Sequence, residues 1–207
     1  MAKLKAPLMS LGATGQLGKS IVFFPWKGLD VVREYIIPTN PKSDAQVIQR
    51  DYLKDAVTAI HAAQADAILT LGPKDITAYA LWGSSWPTPR TWFNTIVKNW
   101  VDQRVANKKP AIYVVGVTVA GSKQLGVAIK SQNISTGNIE TGNFYYGTSK
   151  TALTRITAAI VDLPGRSATA TINGLAAGTK YYWQFRPVTL ADYVGALSGI
   201  YHGTPTA

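Results

Sequence analysis

The sequence predicts an α+β chain: an N-terminal β-hairpin arm and about three helices, followed by an all-β sandwich. Three observations predict it. Ile21–Phe24 and Val31–Ile37 are apolar, β-branched and aromatic runs on either side of Pro25-Trp26-Lys27-Gly28, which is turn chemistry. After Ser43 the apolar residues recur every three and four positions, the spacing of a helix face. From Pro110 the period falls to two and Gly, Asn, Ser and Pro punctuate short runs, so the expected domains are 1–109 and 110–207.

The arm comes first. A lone hairpin of 21–37 is marginal in water and has to pack on the following helix or pair with another subunit. Ala13-Thr14-Gly15-Gln16-Leu17-Gly18-Lys19-Ser20 satisfies a relaxed Walker A pattern, and Gly12–Gly18 a dinucleotide-binding fingerprint. Either motif works only where the loop leaves a buried strand and opens a helix whose amides receive phosphate. Here Pro7 interrupts the lead-in, and a β run ending at Pro25 follows, so the stretch reads as a flexible Gly turn leading into a strand.

Pro38 and Pro41 hold the next residues extended, Ser43 is placed to cap a helix, and Gln46 completes a capping box. Leu53, Ala56, Val57, Ile60, Ala63 and Ala67 form the apolar face of that helix. Gly72-Pro73 ends the region. A shorter helix over Lys74–Leu81 turns Ile76, Tyr79 and Ala80 inward, and Trp82–Pro87 is a turn. Thr88 then caps a third helix with Pro89 at its first position and Trp92, Phe93, Ile96, Val97, Trp100 and Val101 on one face. Tryptophans at this spacing predict core or a subunit contact.

The sandwich strands are expected at 112–119, 125–130, 143–147, 156–161, 168–172, 180–188 and 198–203. Trp183 and Phe185 alternate with Tyr182, Gln184 and Arg186, placing the first pair inward and the second set outward.

The chemistry-bearing residues exclude more than they suggest. With no cysteine there is no disulfide, thiolate metal site or thiol nucleophile. His61 and His202 stand alone, and the acids of the C-terminal half are Glu140, Asp162 and Asp192, too scattered for an acid/base pair. No cofactor or metal site and no enzyme activity are expected. The formal charge of +10 is spread, with 14 Lys/Arg against 8 Asp/Glu in 1–109 and 7 against 3 in 110–207, so no phosphate-tracking stripe and no specific nucleic-acid partner are expected. Nothing reads as a signal peptide, and no run approaches the roughly 18 apolar residues of a membrane-spanning helix.

Pro38-Thr39-Asn40-Pro41-Lys42-Ser43-Asp44-Ala45-Gln46, then Arg50, Tyr79-Ala80 in a short helix and Trp92-Phe93-Asn94 before a last helix together resemble a family of tailed-phage and prophage structural proteins. In that family an Asn-Pro-x-Thr-x-x-Gln-x-x-x-Arg segment follows a Gly-rich β arm and precedes helices ending in a Gly-Phe-Asn-x-Phe-like motif. Ser43 replaces the Thr, and Ala59-Ile60-His61 stands where a Trp is frequent. The resemblance implies a virion setting, with synthesis in the host cytoplasm, and assigns no catalytic residue. Downstream, Leu175-Ala176-Ala177-Gly178-Thr179-Lys180-Tyr181 resembles the Leu-x-Pro-Gly-Thr-x-Tyr corner of fibronectin type III domains, with Ala177 in place of Pro. This likeness implies fold-defining roles for Leu175, Gly178, Tyr181 and Trp183, beside those of Ser43 and Gln46 in the helix cap.

The expected function is that of a non-enzymatic virion protein, a capsid decoration or a minor head or tail component. It would hold a major capsid or tail protein, or further copies of itself, through Phe23, Phe24, Trp26, Val31, Tyr35 and Ile37, and direct the sandwich outward. The alternatives are a glycan- or cell-surface-binding adhesion module and, more remotely, a nucleotide-binding enzyme built on residues 12–20.

Overall fold

The computed structural model describes residues 3–4, 13–37, 39–40, 42–132, 141–162, 166–188 and 195–207. Pro7, Gly12, Pro38, Pro41, Glu140 and Asp192 lie outside them. The chain is α+β and falls into two compact units, Met1–Ser43 and Asp44–Ala207.

The first unit is an antiparallel sheet of β1 (Lys3–Leu4), β2 (Ala13–Leu17), β3 (Ile21–Trp26) and β4 (Leu29–Glu34), in that order. Its hairpin is tighter than the sequence predicts. Trp26 pairs with Leu29, and the turn shrinks to Lys27-Gly28, with φ of 50° and 82°. Two successive positive φ values make the primed turn whose twist matches that of the strands, and glycine adopts the second without strain. Pro25 therefore lies inside β3. The pair beside a two-residue turn exchanges both hydrogen bonds, so at Pro25 the missing N–H would point away from β4, to a side where the pairing of β3 with β2 has already stopped at Gly15–Phe23.

In the second unit, α1 (Asp44–Ala65) opens immediately after Ser43, α2 is Pro73–Gly83, and α3 is Trp92–Val105. The N-cap of α3 is Thr91, whose hydroxyl accepts from Asn94 N at 3.3 Å, and not Thr88. Starting there leaves the Arg90 N–H to donate to the Gly83 carbonyl, which ties the α2–α3 connection together. Trp82, expected in a turn, is the buried last turn of α2. Burial on α1 is confined to Ala56, Ile60 and Ala63, while Leu53 and Ala67 stay exposed.

Two four-stranded antiparallel sheets follow, ordered β5-β6-β10-β9 and β12-β11-β7-β8. Their strands are β5 (Tyr113–Gly121), β6 (Gln124–Ser131), β7 (Gly142–Gly147), β8 (Arg155–Ala158), β9 (Ile160–Asp162), β10 (Ser167–Asn173), β11 (Tyr181–Pro187) and β12 (Tyr201–Gly203). The apolar run 156–161 is two strands: the chain leaves one sheet at Ala158 and joins the other at Ile160. Leu125, Val127, Ile129, Ala168, Ala170 and Ile172 of one sheet share a core with Phe144, Trp183, Phe185 and Tyr201 of the other. Trp183 stacks on Tyr201 with centroids 4.6 Å apart and forms a T-shaped pair with Phe144 at 5.5 Å. Its indole N–H donates to Thr118 Oγ1 at 2.9 Å. A buried indole is thus both packed and satisfied.

A second core lies on the helical side. Ile60, Ala63, Leu71, Tyr79, Trp82 and Ile96 pack with Ile112, Val114 and Ile200, and Tyr182 and Leu197 lean on the same cluster. Of the β11 side chains expected to point outward, Gln184 departs furthest, being 1% exposed. It does turn away from the inter-sheet core, but the segment before β12 covers it and Ser198 O accepts its Nε2 at 2.7 Å. For the same reason the predicted boundary near 107–110 falls inside the second unit, where helices and strands bury one another.

Candidate interaction surface

Opposed residues of an antiparallel pair point to the same face, so the register sorts the side chains of the first unit. Ile21 and Phe23 of β3 share a face with Leu17 of β2 and Val32 and Glu34 of β4. Val22, Phe24 and Trp26 share the other with Gln16, Leu29, Val31 and Arg33. Both faces are therefore apolar. On the second, the Arg33 guanidinium lies 5.2 Å from the centroid of the Phe24 ring, a cation–π contact that keeps its charge at the rim of an aromatic patch.

The predicted contact residues divide by exposure. Phe23 is 8% exposed, the lowest of the six. Phe24, Val31 and Tyr35 are half-buried. Trp26 is 60% and Ile37 72% exposed. Sequence reasoning missed Leu17, Ile21, Leu29, Val32 and Ile36, all exposed, and Leu29, opposite Trp26 across the turn, reaches 69%. For Ile21, Val32 and Ile36 the signal was present in the apolar runs, which are ordinarily read as core, whereas Leu17 and Leu29 lie outside those runs. β4 is moreover an edge strand of the sheet, with one side of its backbone unpaired by any described strand.

The Walker-like stretch lies in the same sheet. Ala13–Leu17 is strand β2, Gly18-Lys19-Ser20 is the turn, and Ile21 opens β3, so a strand stands where phosphate binding calls for a helix N-terminus. No group of three or more His, Cys, Asp or Glu that could hold a metal occurs among the described residues, and His61 is exposed. No helix among them is long and apolar enough to cross a membrane.

The residues named for the corner of the sandwich lie around the start of β11. Leu175 is buried and its N–H donates to Lys123 O; Gly178 has φ +74° and donates to Pro205 O at 2.9 Å. Tyr181 starts β11, and its hydroxyl accepts the Ala176 N–H at 3.2 Å, five residues upstream. Ser43 and Gln46 are exposed around the start of α1. Set against known proteins, the chain matches no protein-family model and no curated protein sequence.

Proposed function

We propose that this chain is a non-enzymatic structural protein that docks through its N-terminal sheet, onto a major capsid or tail protein or onto further copies of itself, as a decoration or minor component of a phage particle. The observation that carries the docking role is a four-stranded sheet with apolar residues on both faces, among them the exposed Leu17, Trp26, Leu29 and Val32. A small sheet with this much apolar surface exposed has small stability of its own, and exposed apolar patches on this scale mark contact surfaces. Trp26 and Leu29 at the hairpin tip are the natural anchors, because a few buried aromatic and aliphatic side chains carry most of an interface's energy. The virion setting rests on the resemblance of the Asn40–Arg50 segment and the helices after it. The fibronectin type III reading of the sandwich is supported by the Tyr181 corner and by sheet orders that set β5, β6 and β10 against β7 and β11.

The test uses the full chain and the triple variant Trp26→Asp, Leu29→Asp, Ile37→Asp. Sedimentation velocity over a rising micromolar series, and co-sedimentation with phage particles, should show association for the natural chain only, with matching circular dichroism. A natural chain that stays monomeric and leaves particles bare, or a variant that associates equally well, overturns the proposal.

A further inference from the structure

α2, β5 and β12 enclose a cleft of about 300 Å³ in the second unit, at the size where small-ligand sites begin. Among its polar lining, the Thr77 hydroxyl donates to Pro73 O at 2.9 Å, and three other groups can donate to a ligand. Lys74 comes from the first turn of α2, Thr118 from β5 and His202 from β12, over an apolar floor of Leu81 and Ile200 with the Tyr201 ring beside them. Lys74 offers ammonium protons and His202 a ring N–H. Thr118 Oγ1 already accepts from the Trp183 indole, which leaves its O–H to donate. None of the lining residues is acidic. The neighbouring carboxylate, Asp75, is engaged by the amides of Gly72, Val115 and Gly116 and by the Tyr201 hydroxyl. Lys180, whose ammonium lies 5.3 Å from the Tyr182 ring centroid, adds positive potential beside His202, and the chain's net charge of +10 draws anions generally.

We propose that this cleft binds a small organic carboxylate with an apolar flank, the carboxylate taken by Lys74, His202 and Thr118 and the flank laid on Leu81 and Ile200. Donors without a competing acid select an acceptor-only group, and the apolar floor selects against a bare inorganic anion. The inference does not depend on the assembly reading, since every residue in it belongs to the second unit.

Benzoate is a suitable probe, with benzamide as its neutral isostere. In methyl and imidazole NMR spectra of the full chain, millimolar benzoate should shift Leu81, Ile200 and His202 signals saturably, whereas benzamide should leave them near their starting positions. Lys74→Met, at an exposed position, should weaken benzoate about threefold, the scale of one partly solvated charge pair. Leu81→Trp, which fills the cleft and keeps Lys74, should abolish the shifts. Unshifted signals, equal response to benzamide, or benzoate binding indifferent to Lys74→Met overturns the assignment. If Leu81→Trp does not fold, Lys74→Met and the isostere still decide.

Discussion

The Tyr201 hydroxyl donates to Asp75 Oδ1 at 2.7 Å, joining α2 to β12 across 126 residues of sequence. The same carboxylate accepts the N–H of Gly72 at 3.2 Å and those of Val115 and Gly116 at 3.0 Å each, so one buried acid fastens α2 to two strands. The β5 bulge between Val114 and Val117 turns both amides toward it, with Val115 at φ +54°. A β-branched residue in the left-handed region is strained by about 1–3 kcal/mol and persists only where its surroundings fix it. Here the two amide bonds to a carboxylate supply that restraint. Gly116 cannot carry a side chain, because a Cβ would lie 2.0 Å from the Tyr201 ring.

Asp75→Ala should therefore lower the stability of the second unit by about 3–5 kcal/mol, since it strands several buried donors together. Urea unfolding measures this, and a loss below about 1 kcal/mol would mean that water replaces the carboxylate.

The helical side should be inseparable from the sandwich. A fragment of residues 110–207 would expose Ile112, Val114 and Ile200, all buried against the helices. We expect proteolysis of the full chain to yield a resistant core beginning near Asp44, and the isolated 110–207 fragment to melt well below it. A fragment as stable as the core would show that the helical contacts contribute little.

Tyr201 and Tyr79 set an alkaline limit. Burial raises the pKa of Tyr201 well above the usual phenol range, the nearby Asp75 carboxylate adds to it, and burial likewise raises Tyr79 despite its hydrogen bond to Tyr113 O. A folded-state pKa above the unfolded one means stability that is complete below the ordinary phenol pKa of about 10 and is lost as pH rises beyond it. Absorbance at phenolate wavelengths, compared between the natural chain and its Tyr79→Phe and Tyr201→Phe variants, should show these two ionising only as the far-ultraviolet signal collapses. Full ionisation with the native signal intact would contradict this.

Local chemistry made part of this legible in sequence and left the rest hidden. The β-branched runs around Lys27-Gly28 announced a hairpin, but β2, with Gly15 between Thr14 and Gln16, owes its strand to pairing with Ile21–Phe23 and carries little apolar signal of its own. Trp183 and Phe185 were readable as core because their period is two. Gln184 was not, since its cover arrives from the segment before β12. Asp75 looks like an ordinary first-turn acid of a helix, and nothing near it in sequence announces the Val115-Gly116 amides forty residues on. Within the candidate surface, Trp26 was legible as an aromatic at a turn, whereas the exposure of Leu17, Leu29 and Ile36 depends on how little of the chain folds over them.

Gly28 offers a way to weaken the contact surface without touching it. At φ +82° its backbone suits glycine, and a Cβ there would meet nothing within 4 Å, so Gly28→Ala acts through backbone strain alone. The cost is about 1 kcal/mol, which is large for a sheet of four short strands. Because the turn belongs to Met1–Ser43 and the main cores to Asp44–Ala207, the loss should be local. Amide exchange should accelerate across β3 and β4 while the melting of the second unit stays unchanged, and association should weaken in step. If the whole chain lost stability together, the two units would be one cooperative body, and if exchange rose with association unaffected, the sheet would not be the contact surface.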